Sequence, residues 1–152
     1  QILNESKPVL VQNTLFTFKS VLQYDDIKQI EKQNVLYIVA PYLREIRTRT
    51  FYEYYWLRYI YAPNLQLICN RSFDSCFSLF KIFGKNLIKI GQNAFANCVS
   101  LSSVDICNVT ELERGSFFLC GSFQVLVANQ LKSLKKDAFN QSDNIFYIHC
   151  EK

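Results

Sequence analysis

Side chains equipped for chemistry are few and scattered in this sequence. His149 is the sole imidazole and lies near the C-terminal end, and Asp105 and Glu113 have no nucleophile at a spacing that would pair with them. Glycine occurs only 4 times, too sparsely to build a loop of backbone N–H groups around a phosphate. Six cysteines are present, at 69, 76, 98, 107, 120 and 150, but no C-x-x-C pair occurs, so a zinc site is not expected. Arg44, Arg47, Arg49 and Arg58 run beside Tyr52, Tyr55 and Trp56, and such interleaving can stack nucleic-acid bases. A net charge of +4, with acids interspersed among the bases, is far from the basic footprint of a nucleic-acid binder. These residues point to no enzyme, no metal and no cofactor, and they argue against nucleic acid as a partner.

The cysteines do carry information, because three of them share a column. Cys76, Cys98 and Cys120 recur at a spacing of 22, each three residues after a phenylalanine, and Phe51, Phe73, Phe95, Phe117 and Phe139 keep that spacing through five copies. The other columns move in step. Leu43, Leu65, Leu87, Val109 and Leu131 precede each Phe by eight, and Ile46, Ile68, Ile90, Leu112 and Leu134 precede it by five. The residue just before each Phe is small: Thr50, Ser72, Ala94, Ser116, Ala138. Ile60, Ile82, Val104, Leu126 and Ile148 follow it by nine. A fixed period of this length means a solenoid, in which each unit buries its apolar face only by stacking on the next. The stacked thiols are expected to be buried and unpaired, since the strand spacing of ~4.8 Å exceeds the Cβ separation a disulfide requires.

The unit L-x-x-I-x-x-x-(small)-F-x-x-C-x-x-L-x-x-I resembles the BspA-type (Treponema-like) leucine-rich repeat. Residues 94–101, Ala-Phe-Ala-Asn-Cys-Val-Ser-Leu, and 57–63, Leu-Arg-Tyr-Ile-Tyr-Ala-Pro, carry the likeness most fully, which extends over about residues 21–150. The resemblance implies an α/β, right-handed leucine-rich-repeat solenoid of 22-residue coils with a parallel sheet on its concave face. It also implies extracellular or surface binding, and offers no catalytic residues to transfer.

Within that frame, residues 1–41 are expected to form an irregular N-terminal segment and capping coil, and 42–152 five repeats of one solenoid domain. Leu15–Phe18 alternates like a strand. Asp25–Lys32 reads as a short helix with acids near its start, in a coil where Gln29 takes the place of Phe. From there on each coil should place a strand at segments such as Leu57–Ala62, Leu79–Gly84 and Leu101–Ile106. The chain starts with Gln, contains no Met and ends without an evident polar cap, so a piece of a longer protein, or an end covered by a partner, is expected. No run of 18 apolar residues occurs, so no membrane span is expected.

Alternation along the strands leaves two columns facing out: Tyr37, Tyr59, Lys81, Ser103, Val125, Tyr147 and Val39, Tyr61, Phe83, Asp105, Val127, His149. A merely solvated sheet face would carry Thr, Lys, Glu and Ser, whereas this one is rich in Tyr, Phe and Val. Such a patch marks an interaction surface. The site expected for a protein partner is therefore Tyr37, Tyr59, Tyr61, Lys81, Phe83, Asp105, Tyr147 and His149. Asn4, Asn70, Asn108 and Asn140 begin N-x-S/T sequons and are candidate glycan acceptors. The reading is a surface or secreted adhesion-type binding module of a protist or anaerobic bacterium. The alternative is a scaffold subunit of an intracellular cytoskeletal or ciliary assembly, whose partner covers the sheet permanently.

Overall fold

The structure, a computed structural model, describes residues 6–123, 125–135, 137–142 and 147–149. The sheet that carries the outward aromatic columns runs in the order β1 (Val9–Val11), β2 (Thr14–Phe16), β4 (Tyr37–Val39), β6 (Tyr59–Tyr61) and β8 (Lys81–Phe83). β1 and β2 form an antiparallel hairpin, and every later pair is parallel, with Tyr37 opposite Tyr59 and Tyr59 opposite Lys81. That register is the 22-residue period of the sequence. The first rung departs from it, because Thr14 pairs with Tyr37. Leu15 supplies the strand expected near the N-terminus, and the hairpin partner β1 is an addition that gives the first sheet edge a cover.

A second parallel sheet lies along the other long side of the coils. It consists of two-residue strands in the order β12 (Ser133–Leu134), β10 (Glu111–Leu112), β9 (Lys89–Ile90), β7 (Leu67–Ile68), β5 (Glu45–Ile46) and β3 (Val21–Leu22). These strands are the Ile column five residues before each Phe. Helix, among the described residues, is confined to α1 (Tyr24–Ile27) and a 3-10 turn at Lys32–Asn34. α1 is shorter than the Asp25–Lys32 helix read from the sequence. The Ile30 N–H bonds back only to the Ile27 carbonyl, at 2.8 Å, and the chain must then extend to bring Val35 and Ile38 into the core.

The core is the set of repeat columns. Phe51, Phe73, Phe95 and Phe117 are buried and stack face to face, 5.3–5.4 Å between centroids with ring planes within 13°. Phe139 continues the stack on Phe117 at 5.1 Å. The small residue before each Phe makes room and closes the turn: Thr50 Oγ1 donates to the Arg47 carbonyl at 2.8 Å, and Ser72 Oγ to the Cys69 carbonyl at 2.7 Å. Two positions per coil take a left-handed backbone. One runs through Arg49, Arg71, Asn93 and Gly115, the other through Glu53, Ser75, Asn97, Leu119 and Gln141.

One expected strand is nearly lost. Leu101–Ile106 contributes to the sheet only through a single bridge between Lys81 and Ser103, and β11 (Val125–Val127) pairs instead with β13 (Tyr147–His149) as a separate parallel pair. Val104 and Ile106 do point inward. Two features go with the break. The Asp105 carboxylate accepts the Cys107 N–H at 3.1 Å, a local turn that competes with the ladder. Ile106 also stands, fully buried, in an inward column that Ala40, Ala62, Gly84 and Ala128 hold in other coils, so this coil packs a larger side chain there than its neighbours do.

Candidate functional site

The outward face of β4, β6 and β8 gathers five of the residues singled out in the sequence. The Tyr37 and Tyr59 rings lie parallel, 6.1 Å apart, and Tyr59 reaches Phe83 at 6.3 Å and Phe80 edge-on at 5.8 Å. Tyr61, 51% exposed, and Phe83, 44% exposed, stand beside them on the second column. The Lys81 ammonium sits 4.9 Å from the centre of the Phe83 ring, a cation–π contact. This is a patch of flat aromatic rings in mutual contact, a residue class enriched at protein interfaces. Phe80, at the start of β8, belongs to the patch. Its place at the strand entry, just before the outward columns, marks it in the sequence as part of that face, and it is exposed.

Asp105 lies across the break in the ladder, on the far wall of a groove of about 930 Å³. Tyr61, Pro63 and Phe83 form one wall, and Ser102 and Ser103 lie on the other side, in columns where Phe80 and Tyr59 stand in earlier coils. Tyr147 and His149 fall in β13, in the separate two-stranded sheet, and their side chains lie outside the described residues. The structure therefore brings Tyr37, Tyr59, Tyr61, Lys81 and Phe83 together, and sets Asp105 across a gap from them. The Phe, Leu and Ile columns hold through the gap; the sequence marks it only by Ile106, in a column otherwise of small residues.

The column of thiols is buried and internally satisfied. Cys76, Cys98 and Cys120 each donate through Sγ to the carbonyl of the Phe one coil back, Phe51, Phe73 and Phe95, at 3.1 Å in every case. Ser142, in the same column, makes the equivalent bond to the Phe117 carbonyl at 2.6 Å. No disulfide joins Cys69, Cys76, Cys98 or Cys120. Burial raises the pKa of all three stacked thiols, that of Cys120 to about 12, so none is available as a nucleophile at neutral pH. Cys69 is half-buried, and its thiol is raised by burial and by the neighbouring Glu45 carboxylate. Cys150 lies outside the described residues.

Two further surface features have structural partners. Arg47 pairs with Glu45 at 3.1 Å, and Arg49 lies 5.9 Å from the Tyr52 ring, so part of the arginine–aromatic run is engaged locally. Tyr55 and Phe77 stack at 5.1 Å along an exposed edge of the coils. A polar hollow of about 480 Å³ opens where Ala96 and Gly115 remove side chains from their columns, between Arg71 and Asp74 on one side and Arg114 and Asp137 on the other. These charges pair within the hollow, Arg114 with Asp137 at 3.4 Å. No group of three or more metal-ligating side chains occurs among the described residues.

Of the sequons, Asn70, Asn108 and Asn140 are exposed, and Asn4 lies outside the described residues. Asn108 has a structural task. Its Nδ2 donates to the Lys85 carbonyl at 3.0 Å, repeating Asn86 on Pro63 and Asn64 on Pro41. Asn70 Oδ1 accepts the Gln92 N–H at 2.9 Å, leaving its amide nitrogen outside that bond.

Parallel coils of fixed period, a phenylalanine spine and two parallel ladders define a leucine-rich-repeat solenoid. The sequence matches the BspA-type leucine-rich repeat region, with 6 copies, over residues 24–152, and the chain belongs to that family. Its fold is similar to that of a leucine-rich repeat protein of T. pallidum, with a TM-score of 0.70 and 21% identity, over 93% of this chain and 66% of that one. It is similar as well to a leucine-rich repeat protein of Bacteroides ovatus, TM-score 0.60 at 20% identity, over 96% of this chain and 44% of that one. A leucine rich cell surface protein of Faecalibacterium prausnitzii gives a TM-score of 0.62 at 16% identity, over 94% and 45% of the two chains. The chain thus spans less than two thirds of each of these proteins. No curated protein matches it. The family and the fold support a protein-interaction module, and no helix among the described residues is long and apolar enough to cross a membrane.

Proposed function

We propose that this chain is a non-catalytic module that binds another protein through the outward face of β4, β6 and β8, on the surface of a cell or outside it. The observation that carries the reading is the ordered aromatic patch of Tyr37, Tyr59, Tyr61, Phe80 and Phe83 where a solvated sheet would present polar side chains. An extracellular setting is supported by the exposed sequons at Asn70 and Asn140 and by a structural relative that is itself a cell surface protein. The unpaired thiols do not oppose it, because three of them are buried beyond the reach of oxidants.

The test is partner recovery with the Tyr37→Ser/Tyr59→Ser/Phe83→Ser triple variant. A matched control, Tyr55→Ser/Phe77→Ser, removes equally exposed rings from the other edge. Loss of the partner from the first variant alone, with circular dichroism unchanged in both, is the expected result. Equal recovery by the triple variant and the unsubstituted chain would remove the face from consideration.

A further inference from the structure

The break in the sheet has a chemistry of its own. In regular coils the residue after each strand donates its N–H to the next coil: Ala40 to the Tyr61 carbonyl at 2.8 Å, and Ala62 to the Phe83 carbonyl at 3.0 Å. The next rung would join the Gly84 N–H to the Asp105 carbonyl, and among the described residues that bond is not made. The ladder ends at the Lys81–Ser103 bridge, and the Gly84 N–H and the Asp105 carbonyl, both on residues that line the groove, do not bond to each other. Backbone groups at such a position normally find partners.

The groove walls are apolar on one side, and its lining carries two lysines against one carboxylate, a net positive charge. Lys81 and Lys85 both line it, and neither makes an ion pair among the described residues. Asp105, the carboxylate opposite, is already engaged by the Cys107 N–H. Its volume lies in the range of ordinary ligand pockets.

We infer that this groove takes an extended peptide segment of the partner, one with alternating aliphatic or aromatic side chains flanked by carboxylates. Its backbone completes the missing rung between Gly84 and Asp105, its apolar side chains lie on Tyr61, Pro63 and Phe83, and its carboxylates meet Lys81 and Lys85. Main-chain bonds at an open ladder supply affinity and the alternate side chains supply selection. The inference rests on the reading of this face as a protein-binding surface, and narrows it to one class of ligand.

The test uses a capped heptapeptide with a leucine–valine core flanked by glutamates, and its lysine-flanked counterpart, titrated into the ¹⁵N-labelled chain. The expected result is amide shifts confined to residues 82–85 and 102–105, with the lysine peptide binding at least fivefold more weakly. Ser103→Tyr, which restores the ring that Tyr37 and Tyr59 carry in the same column, should fill the groove and weaken binding at least tenfold while leaving the rest of the spectrum in place. Lys81→Glu/Lys85→Glu should reverse the preference between the peptides. Shifts only at Tyr37 and Tyr59 would overturn the groove and leave the aromatic face standing. Equal binding of both peptides, unchanged binding by Ser103→Tyr, or no shift with either peptide would each overturn the inference, whatever partner recovery shows for the face itself.

Discussion

Cys98 Sγ donates to the carbonyl of Phe73, one coil back, at 3.1 Å. The same carbonyl accepts the Cys76 N–H of its own coil, also at 3.1 Å, so the thiol is a second donor to a buried acceptor. Cysteine suits this column because it is small enough to sit beside the phenylalanine spine and still supplies an S–H. Cys98→Ser should retain the bond, as Ser142 does, whereas Cys98→Ala should cost about 1–2 kcal/mol from the lost bond and packing. Urea midpoints of the two variants check the ordering, and a serine variant less stable than the alanine one would contradict it.

The stacked thiols also set a limit at high pH. Their folded pKa values are raised by burial, that of Cys120 from 9.0 to about 12, so the folded state holds its protons longer than the unfolded chain does. The contribution is fully present below about pH 9, the unfolded value, and is lost as the pH rises toward the folded one. Stability should fall between about pH 9 and 12. The decline should be smaller in Cys120→Ser, measured as the urea midpoint against pH. At neutral pH a thiol reagent should label Cys69 well before Cys76, Cys98 or Cys120, and mapping the adducts by mass reads this directly.

Phe95 is stacked on both faces, on Phe73 at 5.4 Å and on Phe117 at 5.3 Å. Phe95→Ala should cost ~3–5 kcal/mol. Because a solenoid couples only neighbouring coils, the loss should also broaden the transition or split it in two. An unchanged midpoint in denaturant would place Phe95 outside the core.

Gly115 and Gly121 are both glycines near the same spine, but they stand in different backbone conformations. Its φ is +65°, and an added Cβ would run into the Asn93 side-chain carbonyl. Gly121 has no positive φ and nothing within 4 Å of an added Cβ. Gly115→Ala should therefore destabilise by about 1–2 kcal/mol, and Gly121→Ala should be neutral or stabilise by up to about 1 kcal/mol. Thermal melts of the pair check the difference, and equal shifts would contradict it.

The repeat made the fold legible before any coordinates. Columns of one chemical type at period 22 fixed which side chains face in, and the register of Tyr37 on Tyr59 on Lys81 follows from that period alone. The aromatic face was legible for the same reason, since alternation along a strand leaves no choice about Tyr59 and Tyr61. Three things were not. The two-residue strands such as Lys89–Ile90 are too short to show alternation, so the second sheet has no signature beyond its Ile column. The β1–β2 hairpin lies outside the repeat. The break at Ser103–Asp105 goes with a side-chain bond from the Cys107 N–H to Asp105, a local turn that the repeat columns do not encode, and Ile106 in a small-residue column is its one mark in the sequence.

The central claim is that the sheet face bearing Tyr59 meets the partner. A photo-crosslinking amino acid placed at Tyr59, and separately at Glu111 on the opposite sheet, tests it most directly when the chain is irradiated in its native setting. Glu111 is exposed and lies on β10, in the sheet of two-residue strands. The account predicts one discrete covalent adduct from position 59 and none from position 111. An adduct from position 111 alone would show that the partner sits on the other side of the solenoid and would contradict the account.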